Sequence, residues 1–280
     1  DGKKDDCKNE TGGFLFETVQ SIPFRTMTES LKEILVDCVF KFTPNGVSVV
    51  SMDNTKSIIV QLLLFSNQIE RYSCDDDYYI GVNLNTFFKV IKTITTADAI
   101  AFKYNSYDPK ILNITIESIE KRSKNTYKMQ LMEIDEPEEL TFDITVFDTV
   151  LQMQSYYFQK TCKDLINTGG VYVELLTTSE CVIFKSDDSL LSCELSLYET
   201  SEGFRFRKNP QKEQGEDAPV SYGVFTLKHL VTFTKCTTLC PVVTLYLHHE
   251  MPLVLQYQVA NLGIIRYCIA SLDDSETTKY

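Results

Sequence analysis

Tryptophan is absent from this chain, histidine occurs three times, and glycine and proline are scarce, at 11 and 8 of 280 residues. That scarcity excludes collagen-like and linker-rich chains, while 43% hydrophobic and 24% charged residues describe a globular protein with room for a core. At this length the chain can hold one large domain or two ordinary ones. No apolar run approaches the roughly 18 residues a membrane span needs, so no membrane partner is expected. Gly-x-Ser-x-Gly, a phosphate-binding glycine loop and His-Glu-x-x-His are all missing, which removes the commonest signatures of hydrolases, nucleotide-binding enzymes and zinc proteases. Positive charge is also in deficit, with 27 Lys and Arg against 39 Asp and Glu and a net charge of -12. Taken over the whole chain, that sign argues against nucleic acid, whose phosphates are neutralised by Lys and Arg. Where the positive charges sit therefore decides the matter.

Nine cysteines, at positions 7, 38, 74, 162, 181, 193, 236, 240 and 268, form an odd set without framework spacing. With no secretory leader before them, reduced thiols in a nuclear or cytosolic setting are expected. Residues 1–13 are polar and end in Gly12-Gly13, the composition of a flexible arm.

Short alternating runs of β-branched and aromatic residues dominate, as in 47–50, 58–65, 111–116, 171–176 and 242–247. Four stretches carry helical spacing instead, over roughly 24–38, 83–97, 155–167 and 225–238. Phe24, Met27, Leu31, Leu35 and Cys38 fall on one helical face, as do Leu84, Phe87, Phe88, Ile91 and Ile94. Phe158, Cys162, Leu165 and Ile166 do so in the third stretch, and Leu227, Leu230, Val231 and Thr234 in the fourth.

The two halves echo each other. Leu31-Lys32-Glu33-Ile34-Leu35 resembles Cys162-Lys163-Asp164-Leu165-Ile166 at an offset of 131, and Val47 to Asp53 resembles Val182 to Asp188 at 135. Val82-x-Leu84-x-x-Phe87-Phe88-x-x-x-Lys92 resembles Phe225-x-Leu227-x-x-Leu230-Val231-x-x-x-Lys235 at 143. Three markers in one order predict a duplicated domain. The acidic, Pro-containing stretch Met132 to Phe142 reads as the linker between copies, and 208–219 as an exposed loop. The predicted organisation is an arm over 1–13, a first domain over 14–132, a connector over 133–142, a second domain over 143–272 and a tail over 273–280.

The helical windows hold eight basic residues, Arg25, Lys32, Lys89, Lys92, Lys160, Lys163, Lys228 and Lys235, against four acids, Glu29, Glu33, Asp37 and Asp164. The remainder holds 19 basic and 35 acidic residues, so the excess of positive charge is confined to the helices. Three- and seven-residue spacings put each basic pair on one helical face. Lys and Thr without base-reading Arg, Asn or Gln pairs suit phosphate contact rather than sequence readout. A solvated helix face is the plainer reading of any one such pattern, but the same asymmetry in all four favours an electrostatic role.

Ser51-Met52-Asp53-Asn54-Thr55-Lys56-Ser57-Ile58-Ile59-Val60-Gln61-Leu62 resembles the signature segment of eukaryotic-type DNA sliding clamps, the proliferating cell nuclear antigen type. Gly81-Val82-Asn83-Leu84, Tyr127 to Asp135, Met251-Pro252-Leu253-Val254 and Val259 to Gly263 are similar to the same family in the same order, from about Phe14 to Leu272. The resemblance implies an α+β fold of two duplicated clamp domains, each of two βαβββ units. Three subunits would form a ring-shaped homotrimer with outer sheets and inner helices. It implies a non-enzymatic processivity factor without cofactor, loaded on double-stranded DNA in a nucleus or a viral replication compartment, the source being open between viral and protist clamps. A clamp loader, a DNA polymerase and other proteins with a Gln-plus-aromatic binding motif would be its partners.

Residue by residue, the eight basic side chains match channel positions, except that Thr26 stands where a second basic residue often follows Arg25. Met52, Ile59, Leu140, Phe142, Pro252 and Ala270 match the apolar partner pocket under the connector. Cys268 replaces an aromatic residue at its rim, and Ser271 a Pro. Glu194 stands at a position where a modifiable Lys is common. Edge strands near 122–130, with Tyr127, and near 202–208, with Phe204 and Phe206, would make the subunit contacts.

Two other readings compete. Asp75-Asp76-Asp77 could hold a cation or form a polar turn, and Cys236, Cys240, His248 and His249 loosely resemble zinc ligands. A clamp-like scaffold that never loads on DNA is the second, against which the basic helices argue.

Overall fold

A computed structural model describes residues 12–134, 144–188, 190–200, 203–209, 221–249 and 251–272. In the first half the chain runs β1 (Gly13–Thr18), α1 (Ser21–Lys32), β2 (Asp37–Thr43), β3 (Gly46–Met52), β4 (Ile58–Phe65), β5 (Arg71–Cys74), β6 (Tyr78–Asn83), α2 (Leu84–Ile91), β7 (Asp98–Asn105), β8 (Ile111–Ser118) and β9 (Ser123–Gln130). The second half runs β10 (Thr149–Gln154), α3 (Ser155–Asn167), β11 (Tyr172–Thr177), β12 (Cys181–Asp187), β13 (Ser192–Tyr198), β14 (Phe204–Lys208), β15 (Ser221–Thr226), α4 (Leu227–Phe233), a 3-10 turn (Thr234–Thr238), β16 (Val242–Leu247), β17 (Leu253–Val259) and β18 (Gly263–Ile269). Element for element the halves match, and each contains two βαβββ units with one short extra strand.

Alternation sets which side of each strand enters the core. In β4, Ile58, Val60, Leu62 and Leu64 are buried while Ile59, Gln61 and Leu63 lie half-buried on the other side. The sheets repeat as the chain does. One has the order β5-β1-β7-β8-β9, and another β13-β12-β11-β15. The third, nine strands wide, runs β14-β10-β16-β17-β18-β4-β3-β2-β6. It is one copy of each smaller sheet fused where β18 pairs antiparallel with β4, from Gly263↔Leu64 to Ile269↔Ile58. Gly263 permits that seam, because a Cβ there would lie 1.9 Å from the Leu63 carbonyl oxygen.

The helices cover the inward sides of these sheets. Asn83 caps α2 by accepting from the Thr86 amide at 3.1 Å, and Gly169, at φ +96°, ends α3. Two expected helices are shorter than their periodicity suggests. The first stops at Lys32, and Cys38 lies on β2, facing inward with Phe40 and Phe42. The second stops at Ile91, leaving Ile94 buried in the following turn. The buried sets Ser21, Phe24, Met27, Thr28, Leu31 and Ser155, Phe158, Thr161, Cys162, Leu165 correspond at an offset of 134. The expected 131 is therefore corrected by about one helical turn.

Candidate nucleic-acid interface and partner groove

The apolar residues of each helix recur at three- and four-residue intervals, so burying them turns the opposite side outward. α1 packs beside α2, α3 beside α4, and α1 also meets the 3-10 turn of the other half, so the helical elements form one row. All eight expected basic residues lie on or just beyond these elements. Lys89, Lys92, Lys160, Lys163 and Lys228 are exposed, and among the described residues their ammonium groups have no hydrogen bond or ion pair. Such groups are free to meet phosphate oxygens.

The other three are engaged. Arg25 donates to the Ile94 carbonyl at 3.0 Å, tying α1 to the turn after α2. Lys32 lies 2.7 Å from Glu33 and over the Phe88 ring. Lys235 reaches the same Glu33 at 3.1 Å across the two halves. Hydrogen bonds from Lys32 and then Lys235 hold the Glu33 carboxyl below its usual range. Sequence periodicity located the lysines, but it could not tell the free ones from those bound within the chain.

The opposite side of the nine-stranded sheet carries an apolar row. Register sets Met52 beside Ile59, Ile59 beside Cys268, Cys268 beside Val254 and Val254 beside Tyr246. Phe147, Val254 and Cys268 form a small buried cluster, with Ile59, Ile144, Tyr246 and Met251 packed around it. Phe147 meets the Tyr246 ring edge-on at 6.0 Å. Under this cover the Cys268 thiol is pushed up to about 12 by burial, which leaves it an apolar wall rather than a nucleophile.

Of the expected pocket residues, the structure brings Ile59 and Met52 together with Cys268, and Pro252 and Ala270 adjoin the row along the chain. The Ala270 amide donates to the Ser57 carbonyl at 3.1 Å. Leu140 and Phe142 lie outside the described residues. Sequence reading missed Phe147, Ile144, Val254 and Tyr246, although the apolar residues just after the connector were a usable signal.

Tyr127 lies on β9 against the chain's own core, and Phe204 and Phe206 lie on β14. Phe204 is buried and meets Phe206 edge-on at 5.1 Å, on a strand at the edge of the nine-stranded sheet. The residues of the competing metal readings make local contacts. Asp75 accepts from Gly13 and Tyr78 in a polar turn, Cys236 points into the seam between the halves, and His248 Nδ1 lies 2.7 Å from Asp148. No helix among the described residues is long and apolar enough to cross a membrane.

Two like domains, fused edge to edge with a basic row of helices on one side and an apolar groove on the other, define the duplicated sheet-and-helix architecture of a clamp subunit. The family model described as proliferating cell nuclear antigen, N-terminal domain, matches residues 16–139, and that for the C-terminal domain matches residues 142–272. The chain belongs to the proliferating cell nuclear antigen family. It is 31% identical over 259 residues to the probable DNA polymerase sliding clamp 1 of Paramecium bursaria Chlorella virus 1, covering 92% of this chain and 97% of that protein.

Proposed function

We propose that this protein is a DNA polymerase processivity factor, a non-enzymatic sliding-clamp subunit that closes with two further copies around duplex DNA. The observation that carries the reading is the row of unpaired lysines on the helices of a chain whose net charge is -12. An acidic exterior repels phosphate from every other surface, so the helical side is where duplex DNA is tolerated. Contacts made by Lys alone neutralise phosphates without reading bases, as a clamp that slides requires. The apolar row from Met52 to Tyr246 is the docking groove for a polymerase, a clamp loader and other proteins with a Gln-plus-aromatic motif. A nucleus or a viral replication compartment is the corresponding location.

Changing Lys89, Lys92, Lys163 and Lys228 to Ala should weaken retention on DNA for all sequences alike and flatten its salt dependence, since each phosphate contact contributes about 0.9 to the logarithmic slope. Four exterior lysines changed as a control should have a much smaller effect. Equal losses would remove the helices from the DNA-binding role.

Internal repetition also supports a route to ring closure. β9 corresponds to β18 and β13 to β4, yet β9 and β13 each have one unpaired side among the described strands. Carrying over the pairs Tyr267↔Val60 and Ile269↔Ile58 puts Tyr127 of one subunit opposite Cys193 of the next, and Met129 opposite Leu191. Tyr127 thus keeps its expected role, whereas β13 replaces the strand of Phe204 and Phe206 as its partner. Ser123 stands where the seam has Gly263, so the pairing would begin beyond it. Directly opposed antiparallel residues lie about 4.5–5.5 Å apart, within reach of a disulfide. Tyr127→Cys should therefore link to native Cys193 under oxidation, giving covalent trimers. Monomers alone would exclude this register.

A further inference from the structure

The seam between the halves contains a polar cluster whose counterpart is split between the two free edges. Ser30 on α1, Cys236 on the 3-10 turn and Tyr267 on β18 are all fully buried. The Ser30 and Tyr267 hydroxyls bond to each other, and the Cys236 sulfur lies 3.2 Å from Ser30 Oγ and 3.0 Å from the Tyr267 hydroxyl. Three elements from two halves are thus tied by side chains that satisfy one another away from water.

Each member has an equivalent. Ser30 corresponds to Asp164 by the helix offset, Cys236 to Thr93 by the α2 and α4 likeness, and Tyr267 to Tyr127 by matching the β17–β18 and β8–β9 pairs through their shared neighbours. The other buried positions of α1 and α3 agree one for one; Ser30 alone is buried where its equivalent, Asp164, is exposed. Among the described residues neither the Asp164 carboxylate nor the Tyr127 hydroxyl has a partner within the chain.

We infer that Asp164 of one subunit accepts a hydrogen bond from Tyr127 of the next, so that a charged pair holds the subunit boundary where the seam within a chain uses a neutral cluster. This rests on the trimeric reading above. Thr93 stands beside the pair, but its hydroxyl already donates to the Val90 carbonyl at 2.8 Å, and a carboxylate outcompetes its oxygen for the tyrosine proton. The inference explains why an acid interrupts the basic side of α3. It also separates Lys92 from Lys235: Lys235 pairs with Glu33, whereas Lys92, its equivalent, would face Asn167, the equivalent of Glu33. Lys92 would then stay available to phosphate at the boundary.

The test is the trimer–monomer equilibrium of the full chain, followed by light scattering and sedimentation over a dilution series. Tyr127→Phe and Asp164→Ala should each raise the concentration at which the trimer dissociates by about tenfold or more, as loss of a hydrogen bond to a charged group does. The double variant should be no worse than the weaker single one. Asp164→Ser with Thr93→Cys, which copies the neutral cluster of the seam, should recover most of the loss. The pair is overturned if Asp164→Ala leaves the dilution curve unchanged, or if the two single effects multiply. The Tyr127→Cys link to Cys193 keeps the two readings apart. Covalent trimers with a silent Asp164 would sink only the hydrogen bond, whereas a wild-type monomer would sink the ring.

Discussion

Ile58 and Leu191 hold the same place in the two halves, yet Ile58 is 3% exposed and Leu191 49%. The difference is whether a strand lies alongside: β18 covers Ile58, and nothing within the described chain covers Leu191. One edge is closed by the fold, and its twin has no neighbour among the described strands. On the trimeric reading proposed above, duplication shows in a single chain what a subunit boundary needs, and departures between the copies mark where that boundary differs chemically.

The sharpest way to break the comparison is to damage both places alike. Ile58→Lys buries an unpaired charge in the core and should cost several kcal/mol of folding stability, read as a fall in the urea midpoint. Leu191→Lys should leave that midpoint of the separated protomer unchanged while shifting the mass to monomer. A similar fall in both would mean that Leu191 serves the fold, not assembly.

A second pair sharpens it. Gly263→Ala drives a Cβ against the Leu63 carbonyl and should cost on the order of 2–3 kcal/mol through overpacking. Ser123→Ala, at the equivalent place on β9, should stay within about 0.5 kcal/mol.

The groove offers a third contrast. Met52→Ala with Ile59→Ala should weaken a Gln-and-aromatic peptide by about 2 kcal/mol in calorimetric titration, while retention on DNA is unchanged. Coupled losses would show that the two sides of the sheet are not independent.

The smallest effect belongs to the surface bridge across the seam. Glu33 has a lowered pKa, so its contribution is present above the usual value of 4.5 and is lost as the pH falls through the depressed one. Because the pair is largely exposed, Glu33→Gln should cost less than about 1 kcal/mol near neutrality. The difference should fade as the pH falls through that depressed value and vanish once Glu33 is protonated in the folded protein. A cost that persists there would place the role of Glu33 in packing.

Local periodicity made much of this legible. β4 and β16 begin and end where alternation does, and α3 fills its predicted window. α1 overran because Leu35 and Cys38 continue a helical spacing while Cys38, Phe40 and Phe42 already alternate as a strand, so two periods overlap on the same residues. The lysines were readable because the solvated side of a helix is fixed once its apolar side is known. The groove was not, since Ile59, Cys268 and Val254 meet only through the register of strands some 200 residues apart in the chain. The choice between β13 and the strand of Phe204 and Phe206 was hidden for a related reason: β13 and β14 are both edge strands, and only the repeated sheet order tells which edge has a paired twin.

Encirclement remains the claim on which the rest depends. The protein should be loaded on a nicked circular duplex, washed at high salt, and the DNA then cut once with a restriction enzyme. A ring held by topology stays on the circle through the wash and leaves within minutes of the cut, whereas equal retention on circular and linear DNA would contradict encirclement.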